Sequence, residues 1–240
     1  MTQTATPTPE PLSPAPKCCT QRCWIWAIIL LIVWIAAIVI AYPHDAQIAN
    51  SVERFTTNAK TGQVESIGVL SKYTLPAKCI RFMGNFRFTL GVAILLYIFH
   101  PRKWRASILL VAAAVIGGII YQFSKWIIGR QRPQYHEPYT FHHFTDGLRG
   151  FFMAERLSMP SGHAMLAFAT ATVLTVCLPR WWALFFVLAC VVGAERVLEH
   201  SHYLSDVIAG AGVGVIAAML AKLILSRRCC QNVNQTPTQA

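Results

Sequence analysis

Three short stretches of this chain carry residue types suited to capturing an anion and transferring a group from it. Lys125 and Arg132 are seven apart and share a helix face if the helix continues that far. Pro133 works against that continuation, because it pushes Arg132 toward extended backbone. Two cations at the end of an apolar segment can hold one anion. Pro160-Ser161-Gly162-His163 opens another apolar segment. A helix start offers unpaired amides and a positive dipole end, and proline is tolerated in its first turn. Gly162 lets an anion approach the backbone, Ser161 adds a hydroxyl, and His163 can donate or accept a proton. In the third stretch, Arg196 precedes His202 and Asp206, which are four apart and face the same way if a helix begins by His202. A carboxylate so placed can hold one imidazole nitrogen and leave the other as a nucleophile.

The elements that must position these residues are membrane spans. The chain is 55% hydrophobic and 13% charged, against about 25% charged in an ordinary soluble domain. Its net charge of +11 does not point to nucleic acid, because no basic stripe stands apart from the apolar runs. Trp24–Tyr42 is uncharged; as a helix it reaches about 28 Å, close to the ~30 Å hydrocarbon core. Five further apolar runs follow, at 82–98, 106–128, 164–178, 181–198 and 204–225. The expected fold is all-α: a polytopic six-transmembrane-helix bundle with short interfacial helices. Val52, Phe55, Val64 and Ile67 in the first long connection suit such amphipathic helices. Residues 1–22 and 229–240, polar and without an apolar period, are expected as disordered tails around a membrane domain at 23–228.

Span order supplies a check on the site. Lys125 and Arg132 lie at the exit of the third span and Ser161 at the entry to the fourth. Two crossings later, Arg196 to Asp206 emerge on the same side. Positive clusters in short connections (Lys17 and Arg22, Arg102 to Arg105, Arg180, Arg227 and Arg228) place the opposite side in the cytoplasm. The site is thus expected to be extracytoplasmic, in a plasma or inner membrane.

At these residues the chain resembles the type 2 phosphatidic acid phosphatase superfamily, in its membrane branch. That family carries Lys-x6-Arg-Pro, Pro-Ser-Gly-His and Ser-Arg-x5-His-x3-Asp. Here they read Lys125 to Arg132-Pro133, Pro160 to His163, and Arg196 to His202 and Asp206, in the same order and spacing. The likeness covers about 82–225. It implies a lipid phosphatase cleaving a phosphate monoester or diphosphate on a lipid headgroup, without metal or cofactor. By resemblance His202 is phosphorylated, Asp206 orients it, and His163 protonates the leaving oxygen and then activates water. Lys125, Arg132, Ser161, Gly162 and Arg196 would bind the phosphoryl oxygens. The partner implied is a membrane lipid phosphate; nothing in the sequence speaks to oligomeric state. One position departs from the family: Glu195 stands where serine usually precedes the arginine. A carboxylate there can pair with Arg196 and weaken its hold on phosphate, or turn away from it.

Other readings compete. A phosphotransferase would use the same site with a second lipid or sugar as acceptor. A catalytically silent lipid-binding protein would result if Glu195 disables the site. Taken singly, Lys125 can be a snorkelling anchor, Ser161-Gly162 a helix cap, Arg196 an interfacial anchor and Asp206 a helix-start charge. His200 and His202 form a metal-type pair without an evident third ligand. Cys18, Cys19, Cys23, Cys229 and Cys230 lack zinc-site spacing and read as juxtamembrane thiols or lipidation points. His136, His142 and His143 read as loop residues, Glu155 and Arg156 as a solvated pair. Gly210, Gly212 and Gly214 read as aids to helix packing.

Overall fold

The computed structural model describes residues 18–57, 64–70, 74–135, 141 and 156–233. Helix α1 runs Cys18–Ala41 and passes through a 3-10 turn into α2, Asp45–Val52. Strands β1 (Glu53–Thr57) and β2 (Val64–Gly68) follow, then α3 (Leu75–Met83), α4 (Phe86–Phe99) and α5 (Lys103–Ile128). The last three helices are α6 (Gly162–Cys177), α7 (Trp182–Leu198) and α8 (Leu204–Val233).

By length and composition, 28–52, 103–128, 179–198 and 204–226 can each cross a membrane. The α3–α4 pair, bent by 61°, makes a fifth if it is one broken span. The six expected spans are therefore matched only in part. Residues 82–98 are not one straight helix: the chain breaks at Gly84, and Asn85 restarts it, its side chain accepting from the Arg87 N–H at 3.1 Å. Helix α6 has 16 residues and reaches about 24 Å, short of the hydrocarbon core.

Two further expectations change. The first long connection is not purely helical: α2 and α3 are short helices, but 53–57 and 64–68 pair as an antiparallel hairpin, with Phe55 opposite Ser66 and Arg54 opposite Ile67. Side chains alternate between faces along a strand, so the paired Arg54 and Ile67 lie on one face and Phe55 on the other, and Asn58 and Gly62 in the connecting sequence are residue types that favour turns. Val69 N–H donates to Val52 O at 2.8 Å and Leu70 N–H to Leu198 O at 3.1 Å, tying the hairpin to the end of α7. The terminal helices also run further than the expected tails, from Cys18 and to Val233. No proline interrupts the chain between Pro16 and Pro43 or between Leu204 and Pro237, so nothing stops the helices sooner.

Helix α8 is the central element, packing on α1, α5 and α6. One core cluster joins Ala93, Leu110, Ala113, Val173, Ala218 and Ala221. Alanine predominates because close helix approach inside a bilayer rests on small residues. Gly210 and Gly214 show this most sharply: a Cβ at either would strike the Ser161 or Met165 carbonyl of α6. Gly212 faces the Trp34 ring, and the Trp34 indole donates to Ile208 O at 2.8 Å, fastening α1 to α8. Ile32, Val33, Val39 and Ile40 on α1 remain exposed, as a lipid-facing stripe requires.

Candidate functional site

Lys125 lies buried in the last turn of α5, its ammonium 4.8 Å from the centre of the Tyr121 ring. The helix then stops. Gly129 takes the left-handed conformation (φ 66°), and its N–H closes on Lys125 O at 2.9 Å, a helix end that favours glycine. Arg132 therefore does not continue the Lys125 helix. It is carried by an irregular segment that pairs with residues 156–158: its N–H donates to Arg156 O at 3.1 Å and its Nε to Leu157 O at 3.3 Å. Burial lowers the Arg132 pKa, opposed by Tyr121 and Tyr135 and reinforced by Arg196.

Ser161 is the N-cap of α6, fully buried, in extended backbone geometry. Its side chain does not cap the helix, and its Oγ makes no hydrogen bond among the described residues. A buried hydroxyl without a partner is costly, so its being only a helix cap is not what the geometry favours. The Ser161 N–H instead donates to Asp206 O at 2.9 Å, joining the start of α6 to the start of α8. Gly162 meets the Tyr121 ring so closely that a Cβ would sit 3.0 Å from it. His163 follows in the first turn, with Arg196, His202, Arg81 and Arg132 near enough for their charges to act on it. The three sequence stretches thus come together at one end of the bundle.

His202 is 4% exposed, in the short link between α7 and α8. Burial pushes its pKa down to about 4, although Asp206 opposes the shift. The imidazole is therefore neutral at pH 7, the form a nucleophile needs. Its Nδ1 stands 3.8 Å from Asp206 Oδ2, in ionic range but beyond a hydrogen bond. Asp206 is already engaged: Oδ2 accepts from the Ser158 hydroxyl and from Tyr203 N–H at 2.9 Å, and Oδ1 from Arg130 Nη1 at 3.0 Å.

Arg130, Asp45 and Ser158 are missing from the sequence reading. Arg130, wholly buried, has Nη1 2.9 Å from Asp45 Oδ2, 3.0 Å from Asp206 Oδ1 and 2.7 Å from Ser205 Oγ. Its guanidinium lies 3.8 Å from the centre of the Tyr203 ring. Burial acts to lower its pKa, but Asp206 and Asp45 outweigh that and hold it above the usual arginine value. Asp45, at the start of α2, also accepts from Ser205 N–H at 3.0 Å and from the Ser205 hydroxyl. Asp45, Arg130, Ser205 and Asp206 form one buried network behind His202. The one signal available was a lone carboxylate directly after the first span.

Glu195 does not turn away. It takes Arg196 Nε at 2.6 Å and Nη2 at 2.7 Å, and Arg196 Nη2 also meets Glu199. Arg81 of α3 approaches the same glutamates, 2.6 Å from Glu199 and 3.3 Å from Glu195. His136, His142, His143 and Glu155 lie outside the described residues; Arg156 rests 5.7 Å from the Tyr135 ring. His200 has the positive φ of 63° and lies 3.9 Å from Glu53 of the hairpin.

Comparison with known proteins adds an independent line. The profile of the PAP2 superfamily matches residues 104–229. A lipid A 1-phosphatase of Rhizobium etli is 32% identical over 118 residues, 49% of this chain and 50% of that protein. The chain spans about half the length of the lipid A 1-phosphatases it matches. An undecaprenyl-diphosphatase of Sulfolobus acidocaldarius is 26% identical over 220 residues, 90% of this chain and 98% of that protein. Among solved structures, a transmembrane PAP2-type phosphatidylglycerolphosphate phosphatase from Bacillus subtilis shares the fold, with a TM-score of 0.56 and 19% identity. That match covers 83% of this chain and 96% of the other.

Proposed function

The chain belongs to the PAP2 superfamily, and from that premise we propose that it is an integral membrane phosphatase that hydrolyses phosphate monoesters or diphosphates on lipid headgroups. One observation carries the reading. Lys125, Arg132 and Arg196, the Ser161 hydroxyl that has no partner among the described residues, and two histidines converge at the mouths of apolar helices, where a headgroup arrives laterally from the bilayer. The relatives named for lipid A 1-phosphatase and undecaprenyl-diphosphatase activity support the same substrate class.

In this reading, Nε2 of neutral His202 attacks phosphorus while the bond to the leaving oxygen breaks. His163 delivers a proton to that oxygen. The positive charge formed on the imidazole faces Asp206. Water, losing its proton to His163, then attacks phosphorus, the N–P bond breaks and phosphate leaves. Lys125, Arg132, Arg196, Ser161 and the amides around Gly162 stabilise charge on the phosphoryl oxygens, each typically worth a few kcal/mol. With three protein cations on the anion, the reaction runs without a metal. Helix α6 serves as a short sixth crossing, and the site opens to the extracytoplasmic side.

The test is release of inorganic phosphate in detergent, with chelator present. The panel holds phosphatidate, phosphatidylglycerol phosphate, lipid A and undecaprenyl diphosphate. Release from at least one is expected; none from well-folded protein would refute the reading. His202→Ala should abolish turnover and His163→Ala reduce it by about 10²-fold or more. A labelled donor, followed to water or to a second lipid, separates hydrolase from phosphotransferase. The bidentate Glu195–Arg196 contact favours one further reading, a silent binding protein. Glu195→Ser would then create activity where the wild type has none.

A further inference from the structure

Arg196 is held from one side by carboxylates. Nε and Nη2 bind Glu195, and Nη2 also binds Glu199; Nη1 takes part in none of these contacts. Arg81 reaches the same two glutamates from α3 and keeps 27% of its side chain exposed, whereas Glu195 and Glu199 are buried. Two cations and two anions leave the cluster neutral. His202 N–H donates to Arg196 O at 3.3 Å, so the cluster adjoins the reacting groups. Arg81 lies outside the motifs that mark the site, Glu195 replaces the serine of the third, and Glu199 falls at one of its unspecified positions.

Charges a few ångströms apart in a partly buried setting interact by several kcal/mol even at an effective dielectric of about 20. A phosphoryl group must therefore compete with Glu195 and Glu199 for Arg196, and Arg81 competes with Arg196 for the glutamates. Resting on the phosphate-site reading above, we propose that Arg81, Glu195 and Glu199 set how tightly Arg196 holds phosphate. The glutamates lower the affinity and Arg81 restores part of it, so that the inorganic phosphate product is released. All three are positioning residues: they act through Arg196.

The sign of each substitution distinguishes this from a purely structural cluster. The measurement is the dissociation constant of inorganic phosphate for the full-length protein in detergent, by titration, together with phosphate inhibition of lipid phosphate hydrolysis. Glu195→Gln and Glu199→Gln should each bind phosphate about tenfold more tightly, and Arg81→Gln should bind it more weakly by a similar factor. The Arg81→Gln/Glu199→Gln pair should return toward wild type. A structural cluster would weaken binding in every variant. Glu→Gln proteins that bind phosphate as the wild type does, or more weakly, overturn the proposal. Glu199→Gln, at the less buried position, carries the test if Glu195→Gln does not fold. Wild type that binds phosphate but hydrolyses no lipid in the panel refutes the enzymatic reading, while the titrations still decide this one. Absence of phosphate binding in all the proteins overturns both.

Discussion

Arg130 is the side chain on which the site's rigidity depends. It sits between Asp45 and Asp206 with no exposure. Arg130→Ala would leave two buried carboxylates without their cation, a loss of about 3–5 kcal/mol for such a broken pair; a lowered thermal midpoint in detergent checks it. Asp45→Asn keeps an acceptor for Ser205 and removes only charge, so it should cost less stability yet still slow turnover. His202 gives a pH prediction. Its ordinary value of 6.5 is depressed to about 4 by burial. Between those values the unfolded chain takes up a proton that the folded chain refuses. Stability is full above about pH 6.5, falls as pH drops toward 4 and is level below, by up to about 3 kcal/mol. Thermal midpoints from pH 4 to 7 for wild type and His202→Gln should differ in slope accordingly. His163, His202 and Asp206 were legible because their spacing is local. Asp45 was not: Ser205, its partner, is 160 residues away, and no spacing rule reaches that far. Arg130 carried no signal in the sequence because burial is a tertiary property.

At the scale of elements, helix ends do the positioning. Gly129 stops α5 in a left-handed turn and releases Arg132 into an extended segment. Gly129→Val should cost roughly 1–2 kcal/mol for the φ alone and raise the KM for the lipid phosphate, since it displaces Arg132 rather than His202. A substitution that lowered stability without touching KM would deny Gly129 this role. Pro133 was a readable signal that the helix could not extend to Arg132, but the register of the segment was not readable. It is set by backbone bonds to 156–158 across a long connection. The hairpin escaped for a different reason: Val52 and Phe55, like Val64 and Ile67, are three apart, a helical spacing and not a pleated one, and the strands form through their own cross-strand pairing and a backbone bond to the end of α7. The break at Gly84 was likewise hidden inside an apolar run that looked continuous.

For the molecule as a whole, the family match begins at residue 104, yet the site reaches well before it. Asp45 joins the buried network, Trp34 fastens α1 to α8, and Arg81 borders Arg196. A chain lacking residues 1–74 keeps every motif but loses Asp45 and the α1 contact. It should be inactive and melt lower than Asp45→Asn; activity equal to full length would show that the motif region suffices. The membrane frame itself was legible from composition, because about twenty apolar residues have few other uses. The number of crossings was less so, since α6 is short and α3–α4 is bent.

Asp206 has further meaning when seen as a fixed electrode. Four neighbours (Arg130, Ser158, Tyr203 and, through Arg130, Asp45) pin its carboxylate, while His202 stands 3.8 Å off. If His202 is phosphorylated as proposed, only the ring is free to close that gap when the imidazole gains charge. Reorganisation is then confined to one side chain swinging against a stationary counter-charge, and the remainder of the site enters the reaction already polarised.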